Sequence, residues 1–151
     1  MDLGAAGGDT STHGMTVAAR LDEVVEIVDA LGTVFVRFSA GPEADAHSGS
    51  RDGESGAVLP GLSVNPLRPE PWWDRPPREW VARQLAQYVH LAADDHRYAW
   101  LLRGREVGRG PDSEPLLTDV VPVAVVSNRA LQEAVEAYRT AFAPGQVPDG
   151  P

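Results

Sequence analysis

Five prolines fall between residues 66 and 77, on either side of Trp72-Trp73. Each proline holds its φ near about −65° and lacks a backbone N–H, so this stretch can be neither a helix interior nor a central strand. Only at Pro76-Pro77 does the segment suit a regular element, because proline is well placed in the first turn of a helix. From there Trp80, Val81, Leu85, Tyr88, Val89 and Ala92 recur at helical spacing and predict a helix to about Ala93.

Upstream, Thr16 is a candidate N-cap. Val17, Leu21, Val24, Val25, Val28 and Leu31 form a helical stripe that ends at Gly32. Thr33 to Ser39 follows almost without a loop, and its β-branched and aromatic residues predict a strand with Arg37 near the end. Residues 40–56 are Gly, Ser, Asp and Glu rich and read as a loop. Ala57 to Asn65 reads as a second strand, at an edge or bulged because Pro60-Gly61 interrupts it.

Downstream, Tyr98 to Val107 predicts a strand. Leu116-Leu117 with Val120 to Val126 predicts one or two more, with Pro122 suggesting an edge. Leu131, Val135, Tyr138 and Phe142 then mark a helix beginning at Asn128. The irregular order of elements predicts an α+β fold, with about three helices on a four- to five-stranded mixed or antiparallel sheet.

The length of 151 residues suits one domain, which we place at 16–143. Residues 1–15 and 144–151 are too poor in apolar side chains to order themselves and read as disordered tails, with Met15 an alternative start. The longest apolar run, Val120 to Val126, is far short of the about 20 residues that span a bilayer. No membrane association is expected, and a cytoplasmic protein is.

A net charge of −9 repels phosphate backbones, which argues against nucleic-acid binding. The chain has neither Lys nor Cys, so Schiff-base, Walker-loop, thiolate and zinc-thiolate chemistry are excluded. Gly61-Leu62-Ser63-Val64-Asn65 lacks the last glycine of a nucleophile elbow, and Pro66 follows where a helix should begin. Gly108-Arg109-Gly110 is a fragment of a dinucleotide fingerprint with Pro111 where its helix should open. His90 and His96 beside Asp94 and Asp95 read as a solvated helix end, so no metal is expected.

Three polar residues set in apolar or glycine-rich strand-like segments stand out: Arg37, Ser63 and Glu114. Brought to one cleft, they could hold a dinucleotide, with the guanidinium on phosphate and the hydroxyl on ribose. The carboxylate could then stabilise the charge that develops as nicotinamide leaves. Their order resembles the R-S-E arrangement of ADP-ribosyltransferases, and Asp112-Ser113-Glu114 has the shape of that family's E-x-E with Asp in first place. The resemblance implies NAD as substrate, Arg37 on its phosphate, Ser63 on its ribose and Glu114 as catalytic residue. Asp112, Trp72 and Trp73 would be secondary contacts, with no metal required. Ser63 is flanked by Leu62 and Val64 where S-T-S is usual, and Pro115 follows Glu114 directly.

A second resemblance covers about Leu21 to Val126. Phe35-Val36-Arg37-Phe38-Ser39, Gly41-Pro42-Glu43-Ala44-Asp45, Leu59 to Leu67, Glu70-Pro71-Trp72-Trp73 and Gly104 to Leu116 are similar to an uncharacterised family of small proteins in high-GC bacteria. It implies no activity.

The same residues also have purely structural readings. Arg37 could pair with Glu43, Asp45 or Glu114, Ser63 could bond nearby backbone, and Asp112-Ser113 is ordinary turn chemistry. Trp72-Trp73 could seal one end of a core. Two functions therefore stand side by side. One is an NAD-binding, ADP-ribosyltransferase-like domain acting by transfer or hydrolysis; the other is a non-catalytic acidic module, protein-binding or immunity-type, that docks through Trp72-Trp73.

Overall fold

The structure, a computed structural model, describes residues 15–50, 55–89 and 96–142. In chain order these form β1 (Thr16–Ala18), α1 (Leu21–Leu31), β2 (Phe35–Ser39), α2 (Pro42–Ser48), β3 (Leu62–Ser63), β4 (Asn65–Pro66), α3 (Pro77–Ala86), β5 (Tyr98–Arg109), β6 (Pro115–Val126) and α4 (Asn128–Phe142). The result is one α+β domain with a mixed six-stranded sheet. Residues 1–14 and 144–151 of the expected tails and residues 90–95 fall outside the described residues; α3, expected to reach Ala93, ends at Ala86 with Gln87 as its C-cap.

Among the described residues four helices form where three were expected. The additional one, α2, has no apolar stripe, and its signals are Pro42 in the first turn with Glu43 and Asp45 beside it. Thr16 is not a helix cap. It lies in β1, which pairs in parallel with β6 at Thr16↔Ala124, because the chain is still extended at Arg20 (φ −133°, ψ 153°). The carboxylate of Glu23 accepts the Ala19 and Arg20 N–H groups at 2.6 and 3.2 Å, and Glu133 of α4 accepts that of Leu21 at 2.9 Å. These acceptors start α1 at Leu21.

The sheet order is β1-β6-β5-β2-β4, with β3 also pairing β6. Only Val64 separates β3 from β4, so a single short segment bonds β6 at Leu62↔Leu117 and β2 at Val36↔Asn65. Since β5 lies between β2 and β6, the sheet curls until this segment closes it. Three register shifts along the β5–β6 ladder supply the bending. Closure is tight: a Cβ on Gly61 would lie 2.8 Å from the Leu117 carbonyl oxygen. β6 runs unbroken through Pro122, which sits opposite Leu102 at one of these shifts, between the β3 and β1 pairings.

Alternate residues of the strands serve two apolar clusters. Val36, Phe38, Ala99, Leu101 and Ala124 pack with Leu21, Val24, Val81, Leu85, Leu131 and Ala134 from α1, α3 and α4. Phe35, Val64, Trp100, Leu102 and Leu117 pack together on the opposite face. Arg37 and Ser39 alternate with Val36 and Phe38 and so share the face of Phe35. That places a guanidinium and a hydroxyl on the curled side of the sheet.

Candidate functional site

Arg37 is part of a buried network. Its Nε and Nη2 donate to the two carboxylate oxygens of Asp45 at 2.6 and 3.2 Å, and its Nη1 donates to the Ser63 carbonyl oxygen at 2.8 Å. The side chains of Arg37 and Asp45 are 15% and 7% exposed. Asp45 also accepts the Ser39 hydroxyl at 2.6 Å, and Ser39 Oγ accepts the Trp100 indole N–H and the Gly41 N–H. A fork-to-fork ion pair with every carboxylate oxygen engaged holds the start of α2 against β2 and fixes the Ser63 backbone.

Ser63 is the joint between this network and the surface. Its N–H donates to Ser50 Oγ at 2.9 Å, while its own hydroxyl donates to Glu114 Oε2 at 2.7 Å. Glu114 closes the β5–β6 turn. Its Oε1 accepts the Asp112 N–H at 2.8 Å, and its carbonyl oxygen accepts the Gly110 N–H at 2.8 Å. Ser113 is left-handed at φ 64°, which folds the turn back over Gly110. A Cβ on Gly110 would lie 2.3 Å from Glu114 Oε2, so only glycine leaves room for this carboxylate. Partial desolvation raises the Glu114 pKa, but the bonds from Ser63, its own backbone N–H and Asp112 together outweigh it and hold the carboxyl below its ordinary value.

Glu114 lines a cleft of about 370 Å³ together with Ser63, Asn65, Pro66, Glu70 and Gln87, and with Arg109, Asp112, Ser113 and Pro115 of the turn. That volume is at the lower end for small-molecule sites, about 300–1,000 Å³. Asn65 Nδ2 hydrogen-bonds the Tyr88 hydroxyl, and Gln87 Nε2 donates to the Gln84 carbonyl at 2.8 Å. Burial raises the Tyr88 pKa, against lowering by Asn65 and Arg37, which keeps the phenol protonated. Arg109 is engaged by Glu106 at 3.1 Å and by the Ser113 carbonyl at 3.0 Å. Among the described residues no cation lies within ion-pair distance of Glu114, Glu70 or Asp112.

The structure thus brings Ser63, Asp112 and Glu114 to one cleft. Arg37 reaches the backbone of that cleft from beneath but is not in its lining, because Asp45 occupies its fork. Trp72 and Trp73 lie elsewhere: they stack edge-on with Trp80 at 5.7 and 5.1 Å, and Trp73 also meets Phe142 of α4 at 6.1 Å. Trp73 Nε1 donates to the Pro76 carbonyl, and Trp72 remains 67% exposed. Asn65, Glu70, Gln87 and Arg109 were not among the expected site residues. Asn65, two positions from Ser63 along the same short strand segment, carried a legible signal; Gln87 carried none. Among the described residues no group of three or more His, Asp or Glu side chains could hold a metal ion.

A family model matches residues 11–147, nearly the whole chain and all of the cleft. The chain belongs to DUF6098, a family of unknown function. No curated protein and no solved structure matches it. DUF6098 membership therefore agrees with the resemblance to an uncharacterised family, and the ADP-ribosyltransferase resemblance gains no support. Among the described residues no helix is long and apolar enough to cross a membrane.

Proposed function

We propose that this chain is a non-catalytic binding module that receives a cationic group of a basic partner protein in the cleft beside Glu114. One observation carries the reading: among the described residues the cleft is lined by three carboxylates, Glu70, Asp112 and Glu114, and one guanidinium, that of Arg109, which is already spent on Glu106 and Ser113. A dinucleotide would place its pyrophosphate against this negative field, with Arg37 turned away towards Asp45. A basic partner would meet complementary charge there, and a chain of net charge −9 would steer it in. Trp72, 67% exposed where it stacks on Trp73 and Trp80, is not in the lining of the cleft and is offered as a separate aromatic anchor for the same partner. The cytoplasm is the proposed setting.

A second reading keeps NAD as ligand, with Ser63 on ribose and Glu114 in catalysis. The hydroxyl-to-carboxylate bond between these two in an open cleft favours it. Thermal unfolding separates the two, because a ligand of the folded state raises the midpoint. A short peptide of mixed Arg and Lys should raise it, an acidic peptide of equal length should not, and the gain should shrink with added salt. A rise with NAD alone, together with nicotinamide release that Glu114→Gln abolishes, would instead establish the dinucleotide reading.

A further inference from the structure

The apolar stripe of α4 runs on through Tyr138 and Phe142, but the buried residues of the helix are Ala130, Leu131 and Ala134. The end of the stripe meets the tryptophans instead. Trp72, Trp73, Phe142 and Tyr138 form a row, with successive ring centroids 6.0, 6.1 and 5.1 Å apart. The two ends of the row, Trp72 and Tyr138, are both exposed, whereas Trp80, edge-on to both tryptophans, is buried and supports them. The planes of Trp72 and Trp73 are 68° apart, which leaves a corner between the face of one ring and the edge of the other.

Hydrogen bonding narrows what such a row can receive. The Trp73 indole N–H is spent on the Pro76 carbonyl, while the Trp72 indole N–H and the Tyr138 hydroxyl have no partner among the described residues. Helices and paired strands already engage their own carbonyls, and strand addition needs an open strand edge, which a row of side chains does not offer. A proline-rich segment in the polyproline II conformation has free carbonyls, no N–H at its prolines and flat rings to stack. It needs ring faces and donors, and those are what the row presents. Its rise of about 3.1 Å per residue also brings every second residue into step with spacings of 6.0 and 6.1 Å.

Charge gives the segment a direction. Glu70 and Asp74 bracket the tryptophan pair in the chain, and among the described residues neither has a cation within ion-pair distance. Arg75 is paired with Glu79 at 2.6 Å and lies over the Phe142 ring, and Arg83 lies over the Trp80 ring. At the other end Arg139 follows Tyr138 on α4 and has no carboxylate partner among the described residues. A basic residue of the guest is therefore favoured at the Trp72 end.

We propose that this row is a receptor for a proline-rich segment of a partner protein, bound as a polyproline II helix with a basic residue beside Trp72. It rests on the cationic-partner reading only for that basic residue.

The test follows the indole N–H signals of the four tryptophans and the backbone amides of the full chain by NMR. Three peptides of equal length are titrated: an oligoproline with arginine at both ends, the same with glutamate at both ends, and a Gly-Ser repeat with arginine at both ends. The oligoproline with arginine should move the Trp72 indole signal and the Tyr138 and Phe142 amides saturably, about tenfold more tightly than the Gly-Ser peptide. It should bind about three- to fivefold more tightly than the glutamate version, as suits charges at an exposed rim. Trp72→Ala should weaken it about tenfold, and Trp72→Phe, which keeps a ring and removes the donor, should weaken it less. Equal binding of the oligoproline and Gly-Ser peptides overturns the proposal, and equal binding of the arginine and glutamate versions overturns its basic end. A Trp72 signal that moves with protein concentration in the absence of peptide would place a second copy on the row and overturn it too. If the Gly-Ser peptide shifts Ser63, Asp112 and Glu114 while the row stays silent to every peptide, this proposal falls and the cationic-partner reading stands. The reverse pattern, a response of the row alone, supports the proposal and removes the cleft from the partner's path.

Discussion

Ser63 and Glu114, 51 positions apart, are joined by a bond of 2.7 Å from hydroxyl to carboxylate. The bond ties the segment that closes the curled sheet to the turn of its longest hairpin. It is also one of the contacts that hold the Glu114 carboxyl below its ordinary value. Ser63→Ala should therefore raise the Glu114 pKa towards that of a free glutamate, read from the side-chain carboxyl carbon in an NMR titration. The sign for stability follows from linkage. A carboxyl depressed in the folded state stabilises the protein above its unfolded pKa, and that contribution is lost as pH falls through the folded value. Acid unfolding of Ser63→Ala should show a shallower fall across this window below about pH 4.3.

Arg37 and Asp45 should behave as a buried pair. Arg37→Met or Asp45→Asn alone strands its partner's charge or donors and should cost about 3–5 kcal/mol in urea unfolding. The double variant Arg37→Met with Asp45→Asn should cost well under the sum of the two single changes. Additive losses would mean that the two side chains act separately.

Glycines 108 and 110 offer a matched comparison. A Cβ on Gly110 meets the Glu114 carboxylate at 2.3 to 2.7 Å, whereas one on Gly108 meets nothing within 4 Å. Gly110→Ala should push the carboxylate out of this position at little cost in stability, since only the end of a flexible side chain has to move, and should weaken binding in the cleft. Gly108→Ala should stay within about 0.5 kcal/mol of the parent and bind normally.

The tryptophans divide in the same way. Trp80 is 3% exposed and donates its indole N–H to the Pro66 carbonyl at 3.0 Å, so Trp80→Ala should cost about 3–5 kcal/mol. Trp72, largely in solvent, should tolerate alanine within about 0.5 kcal/mol while weakening capture of a basic partner peptide. Equilibrium unfolding and peptide titration of the two variants would separate the core role from the docking role.

Much of this architecture was legible locally. The stripes of α1 and α4, the proline start of α3 and the apolar runs of β2, β5 and β6 each arise from a period of 3.6 or 2 within a few residues, and each formed near its expected place. α2 was not, because Pro42 to Ser48 buries only Asp45, and so its apolar periodicity is silent. β1 was misread as the beginning of α1, because Val17 falls on the helical spacing by coincidence. Its pairing with Val125 is more than a hundred positions away.

The site divides along the same line. That Arg37, Ser63 and Glu114 belong together could be inferred from their strand-like settings, and a chain of hydrogen bonds does join them. That Asp45 and not a ligand takes the Arg37 fork could not be read, because Glu43, Asp45 and Glu114 were equally available along the string. Composition and periodicity determined an acidic α+β domain without lysine or thiol chemistry. The tertiary structure alone decided which carboxylate is spent inside and which faces the cleft, since that choice follows from the curl of the sheet, which sets Asp45 beneath β2 and leaves Glu114 at the turn.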